Sequence, residues 1–192
     1  LGIPAEPLFR SRDYLSCDAA LWHVDEKLIN CYGNVQLLQG ESVLTSEKLD
    51  YLIDDNLAQF RGGVVELRNQ RDNVLRTRYL DYNTQDSLAV FSNGASMISS
   101  DGQIIESDEG TYANDRGMFT FYGNVNMFTD SVFVRTERLL YDSNTERADF
   151  LSEIDFWKDG DMLSAGTGWY ERDVEIFFFQ QHVHGLGDTS ES

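Results

Sequence analysis

The sequence predicts an all-β fold of about twelve antiparallel strands, built from six repeats of 29–31 residues within one domain spanning 1–192. Three observations carry this. Short segments that read alike recur at a fixed interval. Within them apolar residues alternate with period two, the mark of a half-buried strand. Proline, which cannot donate to a β-ladder, is absent after Pro4 and Pro7.

The repeat is anchored at Val35, Val64, Ala95, Val125, Ile154 and Val183, at intervals of 29, 31, 30, 29 and 29. Thirteen residues before each anchor stands an aromatic: Trp22, Tyr51, Tyr82, Tyr112, Tyr141 and Tyr170. Five residues before that aromatic stand Cys17, Ser46, Thr77, Ser107, Thr136 and Ala165, and an acid follows four of them. Each unit supplies two strands. The first alternates as Leu49 with Tyr51, Leu80 with Tyr82 and Leu139 with Tyr141. The second alternates as Ala58, Phe60, Gly62, Val64 or Phe119, Phe121, Gly123, Val125. The turns between them carry Asp54-Asp55-Asn56, Asn114 to Gly117 and Asn144, residues that favour turns. The units fill roughly 16–185, with tails at 1–15 and 186–192. Glycine stands two residues before three anchors, as Gly33, Gly62 and Gly123. Glycine inside a strand marks a bend or bulge, so stacked units predict a crease along the sheet. Val35, Val64, Val125 and Ile154 are expected to face inward.

The length suffices to bury a core. Asp and Glu number 33 against 15 Lys and Arg, a formal net charge of -18. Duplex binders neutralise phosphate with a basic face, so no nucleic-acid partner is expected. A hydrophobic content of 41% excludes a disordered acidic chain. No apolar run approaches the roughly 18 residues of a helical membrane span. The sequence begins at Leu1 without a signal peptide, so a mature or excised chain is expected. Cys17 and Cys31 are too few for a disulfide framework; they either pair or remain as core thiols. His182 and His184 alternate on one expected strand, but spacing places no third metal ligand beside them. Carboxylates fall at repeated turn positions, and no nucleophile, zinc, P-loop or dinucleotide motif occurs, so no enzyme, metal or cofactor is predicted.

The units resemble the OstA-like family, the periplasmic proteins and domains that carry lipopolysaccharide towards the outer membrane. They look closest to its bridge component and to the amino-terminal domain of its outer-membrane translocon. The resemblance runs through Gly33-Asn34-Val35, Thr45-Ser46-Glu47, Ala58-x-Phe60-x-Gly62, Ser107-Asp108 and Gly123-Asn124-Val125, then through Thr136-Glu137-x-Leu139-x-Tyr141 with Ala148-x-Phe150. It implies a twisted antiparallel β-jellyroll or trough whose apolar interior accepts acyl chains. It implies a periplasmic location, lipopolysaccharide or a related lipid as ligand, and stacking with other OstA-like transport components through open edge strands. Asn93-Gly94 inverts the family's Gly-Asn, while Ser152 and Gln181 replace the glycine. The crease is therefore expected to relax towards the carboxyl end.

The candidate lipid site is the inward row: Trp22, Ile29, Val35, Leu37, Leu49, Tyr51, Phe60, Val64, Tyr82, Phe91, Met97, Tyr112, Phe119, Phe121, Val125, Met127, Tyr141, Phe150, Ile154 and Phe156. Small facing residues, Ala58, Ala89, Ala95 and Ala148, are expected to leave room. The competing reading is a structural scaffold whose core is filled by its own side chains. Arg61, Arg68, Arg71, Arg76 and Arg78 form the one basic stretch. They are candidates for lipid headgroup contact, against the plainer reading of a solvated rim that balances nearby acids. The strands near Leu15–Trp22 and Glu175–Gln180 lack Pro and Lys, the usual guards of an edge. Head-to-tail self-association is expected, with Phe177–Val183 of one copy against Leu15–Trp22 of the next. The rival is an edge covered by the tail around Pro4 to Arg12.

Overall fold

The structure, a computed structural model, describes residues 13–187; the expected tail cover around Pro4 to Arg12 lies outside them. Eighteen strands and no helix are present among the described residues. The first nine are β1 (Tyr14–Ser16), β2 (Ala19–His23), β3 (Leu28–Gln39), β4 (Ser42–Leu52), β5 (Leu57–Arg61), β6 (Val65–Arg68), β7 (Val74–Asn83), β8 (Leu88–Ile98) and β9 (Ile104–Ser107). Then come β10 (Glu109–Ala113), β11 (Met118–Phe128), β12 (Val132–Asp142), β13 (Arg147–Phe150), β14 (Ile154–Lys158), β15 (Asp161–Ala165), β16 (Thr167–Glu171), β17 (Ile176–Gln180) and β18 (His184–Leu186). The count exceeds the expected twelve for a simple reason. The chain makes twelve passes, and six of them break in the middle. β3, β4, β7, β8, β11 and β12 run through unbroken, whereas β1 with β2, β5 with β6 and the later pairs are halves of one pass.

All pairings are antiparallel, and their registers divide the sheet into two layers. The first layer runs β2, β3, β4, β5, β7, β8, β10, β11, β12, β13, β16, β17, using one half of each long strand. The second runs β1, β3, β4, β6, β7, β8, β9, β11, β12, β14, β15, β18, using the other half. The break between the halves is the crease. Gly33 and Asn34 sit there at φ 72° and 46°, and Gly123 and Asn124 at 72° and 47°. Two successive left-handed residues swing the strand from one layer into the other, and Gly and Asn tolerate this conformation best. The register of β3 on β4 jumps between Tyr32 and Val35 accordingly.

The crease does not relax uniformly towards the carboxyl end. The inverted pair Asn93 and Gly94 holds the same sign, at φ 65° and 87°, and Gln181 and His182 do so without glycine, at 65° and 51°. Among the six positions of the repeated glycine, only that around Ser152 lacks a left-handed pair. There the hydroxyl accepts from the backbone N–H of Glu137 and Arg138, at 3.1 and 3.0 Å. The last residue of each first-layer turn is also left-handed: Lys27, Asn56, Ser87, Gly117, Glu146 and Glu175. Their spacings of 29, 31, 30, 29 and 29 are those of the sequence anchors. The core is one continuous cluster between the layers, from Ile29 to Tyr170.

Candidate functional site

Between the layers, the expected inward residues are buried except for three. Trp22 is 49% exposed, because β2 is the edge of the first layer and no further strand covers it among the described residues. Val64 is 63% exposed. Its crease is one residue longer between inward side chains: four residues separate Phe60 from the fully buried Val65, where three separate Phe121 from Val125 and Phe150 from Ile154, so the inward place passes from Val64 to Val65. Phe156 is half-buried at the carboxyl end. Leu44, Leu67, Leu75, Ile105 and Val134 share the interior beyond the expected row, as do Leu80 and Leu139, which alternate with Tyr82 and Tyr141.

Beside three of the four alanines, Ala58, Ala89 and Ala148, the expected room is taken by rings. Across the first layer one inward row reads Ile29, Tyr51, Ala58, Tyr82, Ala89, Tyr112, Phe119, Tyr141, Ala148, Tyr170, Phe177. Rings lie on both sides of each alanine in this row. Tyr112 stacks on Phe119 at 4.1 Å between centroids, as Tyr170 does on Phe177. In the neighbouring row a Cβ on Gly110 would sit 2.4 Å from Phe91 Cζ, so glycine there makes way for a ring. Each buried aromatic or aliphatic side chain contributes roughly 1.5–3 kcal/mol, so this packing is the main source of stability.

The repeated Ser/Thr-acid pairs belong to the crease. Asn34 Nδ2 donates to Asp18 Oδ2 at 2.8 Å, and Asn124 Nδ2 to Asp108 Oδ2 at 2.7 Å. The backbone N–H of Asp18 and Asp108 bond the carbonyls of Gly33 and Gly123 at 2.9 and 3.0 Å. The hydroxyls of Ser46 and Ser107 donate to carbonyls two residues on, at 2.8 and 3.0 Å. These acids hold the bend rather than a ligand.

Opposite the crease lies a feature the sequence reading missed. The turns of the two layers meet in a seam of buried, uncharged polar side chains, including Gln39, Ser42, Asn69, Thr84 and Ser143. Ser42 Oγ donates to Asn114 Oδ1 at 2.6 Å, and Asn69 Nδ2 to Ser143 Oγ at 3.2 Å. Asn114 Nδ2 bonds the Gln39 carbonyl at 3.3 Å, while Gln39 Nε2 reaches the Thr84 carbonyl at 3.4 Å. Tyrosine hydroxyls from the inward row end here: Tyr51 with Thr84 Oγ1 at 3.2 Å, and Tyr82 accepting from Asn114 at 3.3 Å. Burial pushes the phenols of Tyr51, Tyr82, Tyr112 and Tyr141 above their ordinary range. Further along, Arg172 pairs with Asp101 and with Glu146, the latter at 3.4 Å. In sequence, these Asn and Ser read as turn residues; only their partners 72 and 74 positions away reveal a seam.

At the carboxyl end the interior opens. A cleft of about 370 Å³ is lined by Phe156, Met162, Leu163 and Leu186, with Lys158, Asp159 and Asp161 at its rim. Phe156 meets Phe177 and Phe179 edge-on at 5.1 and 5.0 Å. The arginine stretch is not gathered into one site. Arg61 pairs with Asp81 at 2.6 Å, Arg76 with Glu66 at 3.1 Å, and Arg68 with Glu66 and Asp72 at 3.7 and 3.6 Å. Arg71 lies in the turn before β7, and Arg78 is exposed on β7 at the crease. His182 lies in the crease and His184 in β18, so the two do not alternate on one strand. Cys17 and Cys31 are both free. Burial, aided by the neighbouring Cys17, pushes the Cys31 thiol up to about 12, which keeps it protonated at neutral pH.

No curated protein sequence matches the chain. Among solved structures, it is similar to the crystal structure of LptH from Pseudomonas aeruginosa, the LptA-homologous periplasmic component of a lipopolysaccharide transport device. Identity is 10% and the TM-score 0.31, over 95% of this chain and 99% of that one. The family model described as OstA-like protein matches residues 5–137, most of the creased double layer, and the chain belongs to the OstA-like family.

Proposed function

We propose that this chain is a non-enzymatic periplasmic domain of lipopolysaccharide transport, which shields acyl chains in its interior and bridges to other OstA-like components. One observation carries the reading. The apolar interior runs unbroken between two layers whose terminal strands, β1 and β2 at one end and β17 and β18 at the other, each pair with a strand on one side only among the described residues. An unpaired strand edge is a template for another chain. Stacked copies or relatives would join their interiors into one apolar path. Binding is passive: each methylene withdrawn from water contributes about 0.8 kcal/mol, so several acyl chains are held without polar recognition. The net charge of -18 fits a protein that grips tails rather than phosphorylated headgroups.

The rival reading is a scaffold with a self-filled core. The aromatic rings packed beside Ala58, Ala89 and Ala148 favour it. Mass spectrometry of lipid extracted from protein purified from a lipopolysaccharide-producing periplasm separates the two. Stoichiometric hydroxylated acyl chains are the expected result. Protein free of lipid, which also fails to take up lipid A from micelles, would leave the scaffold.

A further inference from the structure

We infer that acyl chains reach the interior sideways: the two layers part along the polar seam, the Gly-Asn crease serves as the hinge, and an apolar row on the outer face of the second layer is the approach. This rests on the lipid reading above.

The two long sides of the molecule differ in how they are closed. On the crease side the backbone is continuous, and left-handed pairs such as Gly33-Asn34 and Gly123-Asn124 turn it. On the other side closure depends on side chains. Between Gln39 and Ser143 the bonds that cross from one layer to the other are uncharged, and Gln39 keeps its 2.9 Å bond to the Asp13 carboxylate within the second layer; parting the crossing bonds exchanges each for a bond to water, a nearly balanced trade. Gln39 Oε1 and Gln103 Oε1 are buried with no hydrogen-bond partner among the described residues, so both gain one when water arrives. Parting strands within a layer would instead break backbone ladders. What keeps the seam shut in water is the apolar interior behind it, and an acyl chain placed against that interior removes this cost. Threading from an end would have to displace the packed rings of the whole row in turn; sideways admission displaces only those beside the chain.

The outer face supplies the second observation. One register row crosses the second layer from Tyr14 to Leu186 through Leu38, Val43, Val74, Ile98, Phe128 and Trp157, and every position but Arg68 is apolar. It runs immediately outside the seam: Leu38 adjoins Gln39, and Val43 adjoins Ser42. Two residues further from the seam, the parallel row through Gln36, Thr45, Glu66, Ser96, Glu106 and Asn126 is polar at all twelve positions. The outward apolar surface of this layer is thus drawn into a single track beside the opening. A flexible hydrocarbon chain fits a track one side chain wide, where a folded partner would need a broader patch.

The test bridges the seam and times the loading of fluorescent lipid A from micelles. In a Cys17→Ala background, Asn69→Cys and Ser143→Cys are joined by a short reductant-cleavable bis-maleimide, and Ser42→Cys with Asn114→Cys provides an independent second bridge. Each bridge is expected to slow loading about tenfold or more, and its cleavage to restore the rate. Ile98→Glu on the apolar row is expected to slow loading at least about threefold, while Ser96→Glu, on the same strand and face, changes it less than about twofold. Bridged proteins that load within about twofold of the unbridged ones would overturn sideways admission and leave the lipid reading standing. Equal effects of the two glutamates would overturn the outer approach. Failure of the folded, unbridged protein to load lipid A would overturn the lipid reading and this inference with it.

Discussion

The middle of the molecule and its carboxyl end are written in the same sequence pattern but are not packed alike. Around Tyr112, Phe119 and Phe121 the inward rings are fully buried, with a strand on either side and the second layer beyond. Around Phe156, Leu163, Phe177 and Phe179 the alternation is the same, yet these side chains are half-buried and the cleft reaches two of them. Burial in a stacked array depends on neighbours, and among the described residues the last rung has a neighbour on one side only. The difference therefore comes from position in the stack, and it is erased if another OstA-like edge docks there.

The largest expected effect separates the two regions directly. Phe121→Asp places a carboxylate where no water reaches and should destabilise by about 4 kcal/mol or more, enough to unfold the domain. Phe156→Asp, at the open cleft, should cost no more than about 2 kcal/mol. Thermal melts of the two variants test this; equal losses would mean that the end is as closed as the middle.

A second effect is the response to alkali. Tyr51, Tyr82, Tyr112 and Tyr141 have folded-state pKa values above the unfolded value of 10.0, mainly through burial. The folded chain keeps protons that the unfolded chain releases. Stability is therefore intact below pH 10 and falls as pH climbs from there through the folded values, by up to about 1.4 kcal/mol per pH unit for each tyrosine. Circular dichroism should show unfolding above pH 10, and Tyr141→Phe should move it to higher pH. Phenolate absorbance rising near pH 10 before the fold is lost would contradict the buried row.

At the end itself, Phe178→Pro removes a backbone donor from the edge strand β17. It should weaken self-association about tenfold in sedimentation while the melting temperature shifts by only a few degrees. The smallest effect concerns the crease. Val64→Asp should change stability by less than about 0.5 kcal/mol, whereas Val65→Asp should approach the loss seen for Phe121→Asp.

That last pair marks what the sequence could convey. Period two gave the strands, and the fixed interval gave the turn positions and most of the inward row. Gly33-Asn34 announced a bend, and the structure supplies its form, a pair of left-handed residues clasped by Asp18. Val64 was misplaced because an extra crease residue moves every later side chain to the other face, and the repeat interval hides one inserted residue among 29–31. Trp22 takes the inward face, opposite Ile29, yet stays exposed, because alternation reports which face a residue takes, not whether anything covers it. The seam was illegible because Asn, Ser and Gln at strand ends carry the same signature in a solvated turn as in a buried one. Only the crossing of the layers, which brings Asn69 to Ser143, makes them partners.

The central claim is that the interior receives acyl chains, and site-specific photo-crosslinking tests it most directly. A benzophenone amino acid is placed at Phe60 in the middle, at Phe156 in the cleft, and at Val90 on the exposed outer face of the first layer. After irradiation in lipopolysaccharide-producing cells, adducts are expected at Phe60 and Phe156 and not at Val90. Adducts at Val90 with none at either inward position would contradict the account.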